Sequence, residues 1–431
     1  MASYSNTSEI RLKYNRVTTT KKYRAGFQSD KIGRYALYIF LALVPFHQNV
    51  MSAFIYYKEA FAFIFFVLAI QRFNTKYMRI ELCLFLLFPV LLMACALLDP
   101  KVQLYQEGEI SYSSIEGIAP SLLILRNAIL YVPMVAYISM LGMTKGDVRN
   151  IATTCIAIAP ISLFVMIYNK NDISLANIGV SGGYTLPYLN YVPYLTFAAL
   201  SGMYLLCSQT PLLLKVLSAL AILLIVMFAI ITTGRQNIIY LSICAAAFLC
   251  FNRNTNFMIQ VSVFGCFVII ALICGYIYLN NFEVSEKFML RFSSLAQFFD
   301  ASENTSNTTA ASRYNLMFNG FLILNPEQYL WGAGLTSSNG PGPHCDYIRW
   351  IQRVGLIVAA IGFLPFFMCA KQAYRNLVFR RTDPILIYIF LAIIFTIFYS
   401  VFGFVREDPY ESLFGFLGVA MALGLRRNYI T

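Results

Sequence analysis

Charge is what this chain has least of. Only 12% of its 431 residues are Asp, Glu, Lys or Arg, about half of the ~25% typical of a soluble domain. So few charges could not cover a water-facing surface. With 59% hydrophobic residues, the chain must have lipid as its solvent. Histidine and tryptophan are scarce, with two of each. The ten cysteines include no C-x-x-C pair, and all but Cys345 lie in or beside apolar runs. Neither a disulfide framework nor a thiolate metal site is expected. The chain has no P-loop and no G-x-G-x-x-G, so no phosphate-cradling loop of either type. It has no internal repeat, which weighs against transporters built from inverted repeats. Residues 1–34 are basic and polar with no cleavable apolar core, and read as a cytosolic tail.

What is present is a series of apolar runs near the ~20 residues needed to cross a bilayer. Twelve are expected: 35–53, 55–71, 80–98, 122–142, 150–168, 190–208, 212–232, 236–252, 257–280, 351–370, 384–402 and 411–425. The class is therefore an all-α polytopic membrane protein. Lys58 and Glu59 barely separate the first two runs. Alternating the connections from a cytosolic N-terminus puts 21 of the 32 basic residues but only 5 of the 20 acids on the cytosolic side. That asymmetry is the positive-inside pattern, and it places both termini in the cytosol. The net charge of +12 is spread between apolar runs, and so reads as topology rather than nucleic-acid binding. Three long connections fall outside, about 99–121, 169–189 and 281–350. The last is too long for a plain connector. The domain plan is thus a tail (1–34), nine spans (35–280), a large periplasmic loop (281–350) and three final spans (351–431).

Against this apolar background, one stretch concentrates unusual residues. Leu330 to Phe363 begins as a Gly/Pro/Ser/Asn loop and turns into an apolar helix near Asp346. His344, Asp346, Arg349 and Arg353 stand at the seam. The spacing i, i+3, i+7 puts Asp346, Arg349 and Arg353 on one helix face. Ionisable residues at membrane depth mark function by default. A second polar turn, Thr232-Thr-Gly-Arg235-Gln-Asn237, opens another span. Both helices are expected to run inward, with positive ends and unpaired N–H groups facing outward, a setting that suits an anion such as phosphate. Arg126 sits inside the fourth span near its outer end, and Arg291, Arg313 and Arg406 join the outer set. Blander readings stand beside these: arginines at span ends snorkel to headgroups, Asp346 can be a helix cap, and Glu107 and Glu109 form a solvated loop rather than a metal site.

Several outward cations with one histidine and no metal motif fit glycosyl transfer from a lipid diphosphate. Guanidinium groups would stabilise the leaving diphosphate, and neutral imidazole is matched to taking a hydroxyl proton near pH 7.

The residues Thr232–Asn237, Asn325-Pro326, Leu330-Trp-Gly-Ala-Gly-Leu335 and Pro343-His344-x-Asp346-Tyr-Ile-Arg349 leading to Gly355-Leu-Ile resemble the O-antigen ligase/Wzy polymerase superfamily of bacterial surface-polysaccharide assembly. The resemblance implies a GT-C-like fold in the bacterial inner membrane, acting on undecaprenyl-diphosphate-linked oligosaccharides without a cofactor. It assigns Arg235 and Arg313 to the lipid diphosphate and His344 to the general base, with Asp346 beside it. Cys345, Arg353 and Val358 stand where the family more often has Asn, an acid and Gly. The Asp-Tyr-Ile-Arg sequence and the extra outer arginines Arg126, Arg291, Arg349 and Arg406 favour a polymerase, which holds two lipid-linked substrates. The alternatives are a ligase to lipid A-core and, in another class, a lipid-linked sugar transporter. A chain-length regulator is the implied protein partner.

Overall fold

The computed structural model describes residues 30–46, 57–75, 78–98, 120–168, 186–231, 235–251, 326–334, 345–379, 383–402 and 409–429. His344, Arg291, Arg313, Arg406, the run at 257–280 and most of 281–350 lie outside them. Every element among the described residues is helical and none is a strand. Apolar surroundings favour this outcome, because a helix pairs its backbone groups within itself.

The helices are α1 (30–43), continued by a 3-10 turn at Val44–Phe46, α2 (Tyr57–Gln71), α3 (Ile80–Leu98), α4 (Pro120–Ile129) and α5 (Val132–Leu141). Then come α6 (Lys145–Tyr168), α7 (Leu186–Cys207), α8 (Leu212–Ile231), α9 (Arg235–Phe251) and the short α10 (Pro326–Trp331). Asp346–Phe379 is two helices joined at a non-helical Gly355, named α11 (346–354) and α12 (356–379). The chain closes with α13 (Pro384–Phe402) and α14 (Pro409–Tyr429). Helices α3 and α13 coincide with the apolar runs at 80–98 and 384–402. The run at 122–142 is instead two helices with a jog at Leu130–Tyr131. Pro133 in the first turn of α5 is the cause, since it lacks an N–H and crowds the turn before it.

Helix α7 is central, packing against α6, α8, α9, α13 and α14. Phe197 of α7 stacks on Phe414 of α14 at 4.5 Å, and the Ser201 and Tyr388 hydroxyls are 2.9 Å apart. Helices α13 and α14 approach backbone to backbone. A Cβ on Gly415 would strike the Thr396 side chain, and one on Gly418 would press on the Ala392–Ile393 peptide. Close small-residue packing with interhelical hydrogen bonds is how apolar helices associate when lipid removes the hydrophobic drive between them. A second, smaller core joins Phe88 and Leu92 of α3, Leu125 and Ala128 of α4, Trp350 and Val354 of α11, and Phe363 of α12.

The ion pairs gather at the two ends of the bundle. Arg34–Asp147 (3.3 Å), Lys145–Asp383 (2.6 Å) and Arg72–Asp30 each join residues assigned to the cytosolic side. Arg126–Glu59 (2.5 Å) joins two assigned to the other side. As labels, the end that carries Arg34, Asp147 and Asp383 is called inner and the end that carries Glu59 and Arg126 outer. The flanks are apolar, with Leu212, Leu213, Val216, Leu217, Leu220 and Leu224 all exposed along α8. Ile80–Leu97 is long and apolar enough to cross a membrane, as is Asp346–Phe379 taken end to end, and six shorter apolar helices accompany them. These features are compatible with a membrane protein.

Candidate functional site

The site begins with glycines. Gly355 has φ 80° and ψ 167°, which breaks the helix between Val354 and Leu356. A break frees carbonyls that the next turn would have bound, and buried carbonyls need donors. The Trp331-Gly-Ala-Gly334 turn supplies them: Ala333 N–H donates to Gln352 O at 2.6 Å, and Gly334 N–H to Arg353 O at 3.2 Å. The contact is reciprocal. A Cβ on Gly332 would strike the Arg353 carbonyl, and one on Gly355 would strike the Leu330 carbonyl. Gly332 also has φ 80°, a left-handed conformation only glycine adopts freely. The two glycine motifs that stand apart in the sequence are therefore one backbone-to-backbone joint.

The joint turns α11 back on α12. The Tyr347 ring lies 4.5 Å from that of Phe363 and 6.1 Å from that of Phe367. In one straight helix Tyr347 and Phe363 would be about 24 Å apart. Each is eight residues from Gly355, so two arms of about 12 Å fold together like a hairpin. Tyr347 O–H also donates to the carbonyl of Ile397 at 3.0 Å, about 8 Å inward of the last residue of α13. The chain thus enters α11 below the outer rim, climbs to Gly355, and descends as α12. This corrects the expectation of a single inward-running helix with Asp346 at its mouth. The positive φ at Gly355 reverses the direction, and the start of α11 lies inside the bundle.

Helix α11 carries an unusual load at that depth. Asp346 is fully buried and Arg353 is 7% exposed, with Arg349 half-buried between them. Trp350, fully buried, meets Phe88 at 5.9 Å and seats the arm in the outer core. Asp346 is the first helical residue rather than the cap. The first intrahelical bond, Arg349 N–H to Cys345 O at 3.0 Å, starts one residue earlier. Burial pushes the Cys345 thiol up, outweighing the pull of the Ile348 and Tyr347 amides, and the Asp346 carboxylate adds to the rise.

Arg235 is the first residue of α9, although its side chain lies outside the described residues. Two residues on, buried Asn237 accepts a hydrogen bond from the Tyr399 hydroxyl. One turn deeper, Tyr240 O–H donates to Leu391 O at 2.6 Å. Helix α9 therefore runs antiparallel to α13, with its start beside the last turns of α13. Ile397 and Tyr399, which hold the two helix starts, are two residues apart on α13. The sequence stretches around Arg235 and Asp346 are thereby brought to one level.

Arg126 stands differently. It is neutralised by Glu59 of α2, so the outer face gains no net charge from it. Neither the pairing of Glu59, which in the sequence only separates two runs, nor the anchoring by the two tyrosines is written in the sequence. Tyr347 stands in the Asp346-Tyr-Ile-Arg349 motif but carries no anchoring signal there, and among 29 tyrosines nothing marks Tyr399.

No family model and no curated protein matches this sequence. The chemistry of the site has to be argued from its own residues. Those residues form a buried carboxylate and two arginines on a re-entrant helix, level with a second helix headed by arginine.

Proposed function

We propose that this chain is a multi-pass glycosyltransferase of the bacterial inner membrane with a GT-C-like fold. In this reading it belongs to the O-antigen ligase/Wzy polymerase superfamily and joins undecaprenyl-diphosphate-linked oligosaccharide repeats at the periplasmic face. The observation that carries the reading is the anchoring of two helix starts to α13, one headed by Arg235 and the other bearing Asp346, Arg349 and Arg353. A lipid diphosphate leaving from a glycosyl carbon gains charge in the transition state. Fixed guanidinium groups near a desolvated helix start stabilise that charge more than water would. Arg235 and Arg349 take this role, with Arg313, Arg291 and Arg406 as further cations from the outer connections. Arg126 is left out because Glu59 already balances it.

In the reaction the acceptor hydroxyl oxygen attacks the anomeric carbon and the bond to the diphosphate oxygen breaks. His344 takes the hydroxyl proton, and the lipid diphosphate leaves against the arginines. Asp346, two residues from His344 and buried, orients the imidazole in this reading. The second lipid carrier calls for a second cationic station, which Arg353 supplies where relatives more often carry an acid. That difference favours polymerase over ligase.

The test is polymer ladder length in cells and with purified protein supplied with lipid-linked repeat. His344→Ala and Arg235→Ala are expected to abolish chains longer than one repeat while the protein is still inserted. Normal ladders from either variant would overturn the assignment. Transfer of finished chains to lipid A-core in the same assay would indicate the ligase instead. Added EDTA is expected to leave the rate unchanged, and inhibition reversed by divalent ions would point to Glu107 and Glu109.

A further inference from the structure

We propose that Tyr347 and Tyr399 are positioning residues that hold the starts of α11 and α9 at one depth. This inference rests on the glycosyl-transfer reading but concerns residues outside its chemistry. The two helices run in opposite directions from their starts, and the chain between them, residues 252–345, is long. Sequence connectivity therefore does nothing to fix their relative height. What fixes it is α13. Tyr347 O–H donates to Ile397 O at 3.0 Å, and Tyr399 O–H donates to buried Asn237. The two anchor points are two residues apart, about 3 Å along the axis.

Each tyrosine is also wedged laterally. Tyr347 lies between Phe363 and Phe367 on one side and α13 on the other. Tyr399 stacks on Phe395 at 4.3 Å and meets Tyr240 edge-on at 5.8 Å. The Tyr240–Tyr399 contact holds α9 against α13, the Phe363 and Phe367 rings hold α11 against α12, and in each case the hydroxyl selects the register along α13. A buried hydroxyl that loses its partner invites a shift to find another. A misplacement of about 1 Å near reacting groups costs roughly a hundredfold in rate.

Tyr240 is the internal control. It is fully buried and donates to Leu391 O at 2.6 Å, joining the same α9 to the same α13, but one turn below the start. A merely structural tyrosine bond should behave as Tyr240 does.

The experiment compares Tyr347→Phe, Tyr399→Phe and Tyr240→Phe in the full chain, reconstituted in nanodiscs with lipid-linked repeat extracted from the source cells. The expected result is a fall in kcat of about ten- to a hundredfold for the first two, with Tm lowered no more than in Tyr240→Phe. Tyr240→Phe should keep kcat within about threefold of wild type. Amide exchange without substrate gives a second measure. Tyr399→Phe should speed exchange over 235–240 and Tyr347→Phe over 345–350, each leaving the other segment unchanged. Equal kcat in all three variants, or exchange unchanged at both helix starts, would overturn the proposal. If the wild-type protein forms no glycosidic bond at all, the functional reading falls, and the exchange pattern still decides the anchoring by itself.

Discussion

Gly332 and Gly355 share a single contact, and that has a measurable signature. Either glycine changed to alanine introduces a Cβ into the opposing backbone at a positive φ, a strain of about 1–3 kcal/mol. Gly332→Ala and Gly355→Ala are each expected to lower Tm, and the double variant to lose clearly less than the sum. Neighbours in one joint couple in this way. A thermal-shift series on the three variants checks it, and full additivity would mean the joint does not exist. The glycines were visible in the sequence as two motifs. Their mutual contact was not, because a positive φ and a contact across 23 residues leave no periodic trace.

At the scale of elements, the re-entrant α11 is the feature that sequence reading placed wrongly. Residues 346–354 have helical spacing and run into an apolar stretch, so every local signal says one continuous helix. Only the backbone at Gly355 turns it round. The hairpin predicts proximity that a straight helix forbids. Cysteines replacing Tyr347 and Phe363 should be joined by a short bifunctional thiol reagent, and mass spectrometry of the linked peptide would detect the product. Two positions about 24 Å apart would give none. The tryptophans report on the same hairpin from its two faces. Trp331 is 72% exposed beside the joint while Trp350 is fully buried in the outer core. Iodide should quench the emission of Trp331 and leave that of Trp350 untouched, as single-tryptophan variants would show.

For the whole molecule, the positions of the helices were legible in the sequence, since long unbroken apolar runs leave little choice of element. The pairing of helices was not, because the flanking residues are nearly uniform in polarity. The few charges proved the better guide to arrangement. Each of the ion pairs at the two ends joins residues assigned by alternation to one side. Glu59 and Arg126 illustrate the energetics. Either one alone would leave a poorly solvated charge, whereas removing both leaves none. Glu59→Ala and Arg126→Ala are each expected to lower stability by about 1–3 kcal/mol, and the double variant by less than the larger single. Thermal unfolding in matched detergent would measure it. The same pair removes an arginine from the candidate site, something no reading of charge along the chain could foresee.

The glycine joint has one more consequence, and it concerns engineering. Its two hydrogen bonds between turn and helix end are made by main-chain atoms of residues 333, 334, 352 and 353, and no side chain takes part in them. The identities at 330, 331 and 333 can therefore be varied among all residues but proline without loosening the hinge, provided 332 and 355 stay glycine. A library at those three positions would vary the chemistry presented beside α11 on a scaffold whose geometry is held constant.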